Sequence, residues 1–439
     1  MSGSWKTPRL PTGFTISCPK EFRKSHTPTL PGTAVQRPSR STTTALLSLQ
    51  NDLIKANGEG KHTATTLWDL SAAFDTLDHD IFLKKLRVFG FGVSSVRWFR
   101  SYLANRIQHV EVNGSSSPTL HVPYGSPQGA VLSPLIFTIF VADLPLWTQH
   151  SSIFSYADDT SSNISHKDLQ EVKNMAESDA EKILAYLNTN FLVANTDKTK
   201  LLLFRHGAMG SVCSPFSIRI GNSQVVESES EKLLGLRLSN DLRWDQHVNE
   251  LKSSINLRIA NLRRVSYHIP HESLRTIAFG LVLSKIRYGI AVYGSVRKQV
   301  DDPLCKNMSI LEVSINDTMR VINGSRRSDK VPIVELRQET KIPSANQMAA
   351  EATLLEAWKM RLNNENFNLL RPLTSTGMVT RGQVAGSLEV PIGGRATTSS
   401  FSYQATKLWN SAPIELRKCE STSNAKKIIR AFVSALPCI

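Results

Sequence analysis

The stretch Phe154-Ser155-Tyr156-Ala157-Asp158-Asp159-Thr160 limits what this chain can fold into more than any other. An apolar and aromatic run leads into two adjacent carboxylates, and Thr160-Ser161-Ser162-Asn163 follows. Neighbouring residues of a strand point to opposite faces, so a strand interior cannot bury both carboxylates without a large desolvation cost. Asp is favoured in turns, and the pair is predicted at the tight turn of a hairpin. Such a turn concentrates oxygen ligands of the kind a hard divalent cation such as Mg²⁺ takes. Taken alone, an acidic surface turn is the plainer reading.

Two further stretches change that balance. Upstream lies Thr66-Leu67-Trp68-Asp69-Leu70-Ser71-Ala72-Ala73-Phe74-Asp75-Thr76-Leu77-Asp78-His79. Between the two acidic stretches lies Gly125-Ser126-Pro127-Gln128-Gly129-Ala130-Val131-Leu132-Ser133-Pro134-Leu135. In this order the three resemble motifs A, B and C of reverse transcriptases, most closely those of non-LTR (LINE-type, jockey-like) retrotransposons. The resemblance covers Thr42 to Val248, with weaker echoes to the C-terminus. It implies an α+β right-hand polymerase fold: a palm with partial fingers, then a mostly helical thumb and C-terminal region.

Composition agrees with that implication without proving it. At 439 residues and 41% hydrophobic, the chain can bury a core and has room for more than one domain. A net charge of +15 suits a polyanion, nucleic acid first, although charge alone fixes neither fold nor chemistry. The five cysteines, at 18, 213, 305, 419 and 438, form no CxxC, so neither a zinc knuckle nor a disulfide framework is indicated. Ser133, Pro134, Asp143 and Pro145 interrupt the apolar run Ala130 to Trp147, which is therefore not a membrane span. The first 40 residues lack the apolar core of a signal peptide. No membrane partner is expected, and an intracellular site of action, nucleus and/or cytoplasm, is.

Residues 1–40, with six prolines and no sustained period, read as a degenerate or disordered segment. A fingers-palm region is expected over 41–240, a helical thumb-like region over 241–330 and a C-terminal helical region over 331–439. A Gly-, Ser- and Thr-rich linker is expected near 375–400. A strand should end at Asp69, with helices over Asp80 to Phe89, Val93 to Ala104 and Gly129 to Val141. A hairpin is expected around Asn113-Gly114. Leu169 to Leu187 carries a helical stripe. Thr199 to Phe204 reads as a strand, with two or three more before Leu238, in a sheet with helices on one face. Beyond Trp244 the pattern turns helical: Val248, Leu251, Ile255, Ile259 and Leu262 make one apolar face. Leu274 to Tyr293, Ser309 to Ile322 and Ala345 to Leu362 read as further helices.

The resemblance also assigns roles. It implies that Asp69, Asp158 and Asp159, with the Leu70 carbonyl, hold two Mg²⁺ ions, Mn²⁺ being a substitute. Phe74 would lie against the sugar of the incoming dNTP and exclude a 2′-hydroxyl. Gln128 and Gly129 would contact the nucleotide, where small residues allow close backbone approach. Arg37 lines up with an arginine that contacts the triphosphate, although the Gly-Phe preceding it in the family is absent. Lys198, or else Lys200, matches a lysine that donates a proton to the leaving pyrophosphate. Leu233-Leu234-Gly235-Leu236 resembles the primer grip. The implied partners are an RNA template (the element RNA), a DNA primer and dNTPs. Asp75 and Asp78 read as structural, an ion-pair partner and a helix cap.

Three functions compete. The first is an RNA-directed DNA polymerase of a non-LTR retrotransposon, truncated at its N-terminus and without a visible endonuclease. The second is a catalytically inactive remnant that only binds nucleic acid. The third is an RNA-directed RNA polymerase, against which the aromatic Phe74 argues.

Overall fold

Helix α1 (Thr42–Gly58) begins at Ser41, whose side chain accepts from the Thr44 amide while the Thr44 hydroxyl accepts from the Ser41 amide. That reciprocal pair satisfies donors the first helical turn leaves open. The computed structural model describes residues 41–71, 74–127, 129–156, 159–207, 215–297, 305–362, 369–373, 386–392 and 400–437. Arg37, Gln128 and Asp158 lie outside these residues, as do segment 1–40 and most of 375–400.

After α1 come strands β1 (His62–Trp68) and β2 (Leu70–Ser71), then helices α2 (His79–Val88) and α3 (Val93–Leu103). Asp78 caps α2, its carboxylate accepting from the Ile81 amide at 2.8 Å. Four short strands make the expected excursion: β3 (Ile107–Gln108) pairs with β6 (Leu120–His121), and β4 (Glu111–Val112) with β5 (Ser115–Ser116). Asn113 and Gly114, with φ of 50° and 78°, form the turn between β4 and β5.

Helix α4 spans only Ser133–Phe140, shorter than the expected run from Gly129. Gly129 has φ +79°, a left-handed conformation that cannot start a helix, and Pro134 sits in the first turn, where its missing N–H costs nothing. Strands β7 (Ser152–Tyr156) and β8 (Asp159–His166) then form the acidic hairpin, followed by α5 (Leu169–Thr189). Strands β9 (Val193–Ala194), β10 (Lys200–Phe204), β11 (Ser217–Ile220), β12 (Ser223–Ser228), β13 (Ser230–Leu233) and β14 (Leu236–Ser239) complete the sheets. Four strands thus follow β10 before Asn240, where two or three were expected.

The main sheet has the order β11-β12-β10-β1-β8-β7, antiparallel except where β10 runs parallel to β12. Helices cover both of its faces, not one. On β10, Leu201 and Leu203 enter the core with α2, α4 and α5, while Leu202 and Phe204 enter the core with α1. An unbroken apolar run is what a strand covered on both faces requires.

The C-terminal half is helical. Helix α6 (Asp245–Val265) buries Val248, Ile255, Ile259 and Leu262, and exposes Lys252, Arg263 and Arg264. The expected single helix Leu274 to Tyr293 is instead α7 (His271–Ala278), a π-helical turn Phe279–Leu283, α8 (Ser284–Arg287) and α9 (Ile290–Tyr293). Gly289, at φ +67°, makes the break, and a Cβ there would meet Leu236 Cδ1 at 2.8 Å. Helices α10 (Lys306–Asn323), α11 (Ile333–Thr340), α12 (Ala345–Leu362), α13 (Phe401–Ser411), α14 (Ile414–Lys418) and α15 (Thr422–Ser434) follow. They share one continuous core with α1 and β14. The described part of the linker region is docked: Leu388 is buried and exchanges two hydrogen bonds with the Asn410 side chain. No described helix is long and apolar enough to cross a membrane.

Candidate active site

Register brings the acidic segments together. β1 pairs with β8 so that Trp68 faces Thr160; Asp69 follows Trp68 and Asp159 precedes Thr160, so both lie at the same end of this strand pair. Tyr156 faces Asp159 across the hairpin, and Asp159 opens β8.

The other side of Asp69 faces the start of β10. Leu67 pairs with Lys200, so the same edge of the sheet carries the turn Asn195–Thr199. The Asn195 amide donates to the Asp69 carbonyl at 2.8 Å, and Leu70 pairs with Ala194. The Thr199 hydroxyl lies 3.5 Å from the Asp69 amide and donates to the Asn195 carbonyl at 2.8 Å. Lys198 is exposed within this turn, its amide bonded to the Asn195 carbonyl at 3.2 Å. Asp69 is half-buried and Asp159 exposed. Asp69, Leu70, Asp159 and Lys198 thus share one end of the sheet.

The loop Gly125–Gly129 is seated on the loop that follows Asp69. The Gly125 amide donates to the Leu77 carbonyl and the Ser126 amide to the Phe74 carbonyl, both at 2.7 Å. His79 Nε2 lies 2.7 Å from the Gly125 carbonyl. Gly125 has φ +84°, and a Cβ on it would strike the backbone of Phe74 and Asp75. Phe74 is half-buried, its ring 5.1 Å from that of Phe137 on α4. Gly129 needs its positive φ, but the space beside it is open. A cleft of about 720 Å³ opens here between Asp75, Arg106, Tyr124, Gly125 and Ser126.

On the opposite flank, Asp159 and Tyr156 border a small hollow shared with Leu233 and Leu234. Leu234 and Gly235, with φ of 48° and 81°, form the tight turn between β13 and β14. The Tyr288 hydroxyl holds the Leu234 carbonyl at 2.7 Å.

The donors at this edge are carboxylate and carbonyl oxygens, the ligand type that suits Mg²⁺ or Mn²⁺ and not soft metals. Among the described residues no three or more Asp, Glu, His or Cys side chains converge into a metal-holding group. Two of the three expected carboxylates, Asp69 and Asp159, are described and lie at the same end of the β1–β8 pair; Asp158 lies outside.

Three features escape the sequence reading. One is the docking of Gly125 and Ser126 on residues 74–77; the Gly-Ser-Pro preceding Gln128 is its only trace. The second is the grip of Asn195 and Thr199 on the backbone of Asp69. The third lies beneath the site: buried Lys85 on α2 donates to the Phe140 carbonyl, Asp143 and the Tyr186 hydroxyl at 2.7, 2.7 and 3.0 Å. Burial pushes the Lys85 ammonium pKa down, partly offset by Asp143, and pushes the Tyr186 hydroxyl well up. This network ties α2, α4 and α5 together.

Residues 25–238 match the family "Reverse transcriptase (RNA-dependent DNA polymerase)". The chain is 22% identical over 344 residues to the RNA-directed DNA polymerase from mobile element jockey of Drosophila melanogaster, covering 75% of this chain and 35% of that protein. It is 24% identical over 297 residues to the probable RNA-directed DNA polymerase from transposon BS of the same species, covering 65% and 32%. The chain thus spans about a third of the length of these relatives. Among solved structures, apo telomerase from Candida tropicalis overlaps 77% of this chain and 57% of its own, at 12% identity. Its TM-score of 0.37 is too loose a superposition to carry detail across.

Proposed function

We propose that this chain, whose residues 25–238 match the reverse transcriptase family, has the right-hand polymerase fold and extends a DNA primer on an RNA template with dNTPs. The template would be the RNA of a jockey-like non-LTR retrotransposon, and the site of action intracellular, in the nucleus and/or cytoplasm. Residues 41–240 would act as fingers-palm and 241–330 as thumb. What supports the reading is the pairing of β1 with β8, which leaves Asp69, just after β1, and Asp159, at the start of β8, at one end of the sheet.

Phosphoryl transfer asks the protein for positioning and charge stabilisation more than for covalent chemistry. Asp69, Asp158, Asp159 and the Leu70 carbonyl would hold the metal. Mg²⁺ bound there would supply alignment of the primer hydroxyl with the triphosphate and neutralise its charge. Phe74, backed by Phe137, would stand against the sugar and exclude a 2′-hydroxyl. Gln128 and Gly129 would meet the nucleotide, and Arg37 the triphosphate. Lys198, in the turn beside Asp69, would give a proton to the departing pyrophosphate. The Leu233–Leu236 turn, held by Tyr288, would support the primer end.

Primer extension on poly(rA)/oligo(dT) with Mg²⁺ and dTTP, beside Asp158→Asn, tests this. Extension by the parent alone supports the assignment. Equal extension by both refutes it. Silence from both, with duplex still bound at low salt, identifies a remnant that binds nucleic acid without turnover.

A further inference from the structure

Helix α3 carries an aromatic and cationic stack that its own fold does not use. Trp98 is 52% exposed, and its ring lies parallel to that of Tyr102, 5.5 Å away and tilted by 6°. The Arg106 guanidinium continues the stack 4.8 Å from the Tyr102 ring, fixed by a 3.0 Å bond from Nε to the Tyr102 carbonyl. Trp98 and Tyr102, four apart, share one face of α3, and Arg106, three residues past the helix end, is held against Tyr102 by its side chain. A tryptophan serving the core would be buried, as Phe99 beside it is. Trp98 instead turns its edge to Phe99 and leaves ring surface in solvent.

The stack leads somewhere. Arg106 is also a wall of the cleft bordered by Tyr124, Gly125 and Ser126, so the Trp98–Tyr102–Arg106 stack ends at that cleft. At the inner end, the Ser126 hydroxyl is buried and has no hydrogen-bond partner among the described residues. Arg97 and Arg100 are exposed on the same helix, and neither they nor Arg106 forms an ion pair with a described acid.

We propose that Trp98, Tyr102 and Arg106 form a base-stacking platform for single-stranded RNA, guiding the unpaired template into the cleft beside Gly125 and Ser126. Exposed aromatic faces with an arginine plane and flanking cations are the elements of sequence-tolerant single-strand binding. Stacking needs an unpaired base, so a duplex, whose bases are already stacked, gains nothing from Trp98. The cations meet the phosphates, and the chain's +15 charge is of the right sign. This inference rests on the polymerase reading for the identity of the strand as template.

The test measures anisotropy of a labelled RNA–DNA duplex bearing an unpaired 5′ RNA overhang, against the same duplex made blunt, for the parent, Trp98→Ala and Trp98→Phe. Trp98→Ala should weaken the overhang substrate about tenfold and the blunt duplex less than about twofold, with Trp98→Phe recovering most of the loss. Equal binding of the overhang by parent and Trp98→Ala overturns the platform. So does a change from dimer to monomer in sedimentation on Trp98→Ala, which would give the face to a second copy of the chain. Primer extension in the same samples separates the two readings. A Trp98-dependent overhang effect in a parent that never extends leaves the platform standing and sinks the polymerase.

Discussion

Replacing Gly125 with alanine tests whether the Gly125–Gly129 loop works by sitting tightly on residues 74–77. A Cβ at Gly125 would lie 2.8 Å from the Asp75 carbonyl oxygen, 2.9 Å from that of Phe74 and 3.0 Å from Asp75 Cα. All three are backbone atoms, so no side-chain rotation relieves the overlap. Ordinary contact begins at 3.4 Å, and the two loops must therefore part by at least 3.4 − 2.8 = 0.6 Å. That parting stretches the two 2.7 Å bonds from the Gly125 and Ser126 amides. The left-handed φ costs an alanine about 1–2 kcal/mol, and each weakened bond about 1 kcal/mol. The sum is about 3 kcal/mol of local stability. Phe74 moves with the loops, and a misplacement near 1 Å costs about 10²-fold in rate. The assay is kcat/KM for dTTP on poly(rA)/oligo(dT), with urea unfolding alongside. Gly114→Ala is the control: φ is +78° there too, but nothing lies within 4 Å of its Cβ. Equal losses of unfolding free energy in the two variants would refute the reasoning, because both bear the left-handed φ and only Gly125 meets backbone.

Two further outcomes concern stability. Lys85→Met removes one member of the buried network; breaking such a pair costs about 3–5 kcal/mol, and since Tyr186 still donates to Asp143 the lower end is expected. Urea unfolding reads it, and a loss under about 1 kcal/mol would mean the network is incidental. His247 is buried on α6 and its Nδ1 accepts from the Arg237 amide at 3.3 Å. Burial, opposed by Glu250, pulls its pKa from 6.5 to about 4. The folded state holds the neutral ring, so the unfolded chain binds the extra proton between these values. Its contribution is complete above pH 6.5 and falls away as pH drops towards 4, by up to about 3 kcal/mol at about 1.36 kcal/mol per unit. His247→Gln should flatten that part of the pH–stability curve, and a parent and variant with parallel curves would count against the assignment.

How much was legible depends on how local the determinant is. The β7–β8 hairpin, the Asp78 cap and the Asn113-Gly114 turn each rest on a few adjacent residues, and each lies where its pattern indicates. The break in the helix over 274–293 was not legible, because Leu274, Ala278, Val282 and Ile286 keep an apolar period straight through the π-turn. Only the packing of Gly289 against Leu236, more than fifty residues upstream, shows why the chain bends there. Lys85 was illegible for a related reason. Beside Phe82, Leu83 and Leu86 it reads as the solvent edge of α2, and its acceptors come from α4, the residues after it, and α5. The seat of Gly125 on Asp75 is likewise backbone against backbone, and side-chain patterns carry no record of it.

The two cores give the C-terminal helices a bearing on the site that their sequence does not suggest. Asp69 is held at its backbone by the Asn195–Thr199 turn, and that turn runs directly into β10. β10 is clamped from both sides, by Leu201 and Leu203 in one core and Leu202 and Phe204 in the other. The second core reaches β10 through α1, whose Leu46, Leu47, Leu49 and Leu53 are buried in it together with Met348, Leu354 and Trp358 of α12 and Trp409 of α13. Ser402 of α13 also bonds Asn51 of α1 directly, at 3.1 Å. A site made of strand ends and turns keeps its geometry only if the strands cannot shift. Residues beyond 340 bury the back of α1, and α1 packs on the sheet whose end carries Asp69 and Asp159, so packing links the C-terminal helices to the proposed site.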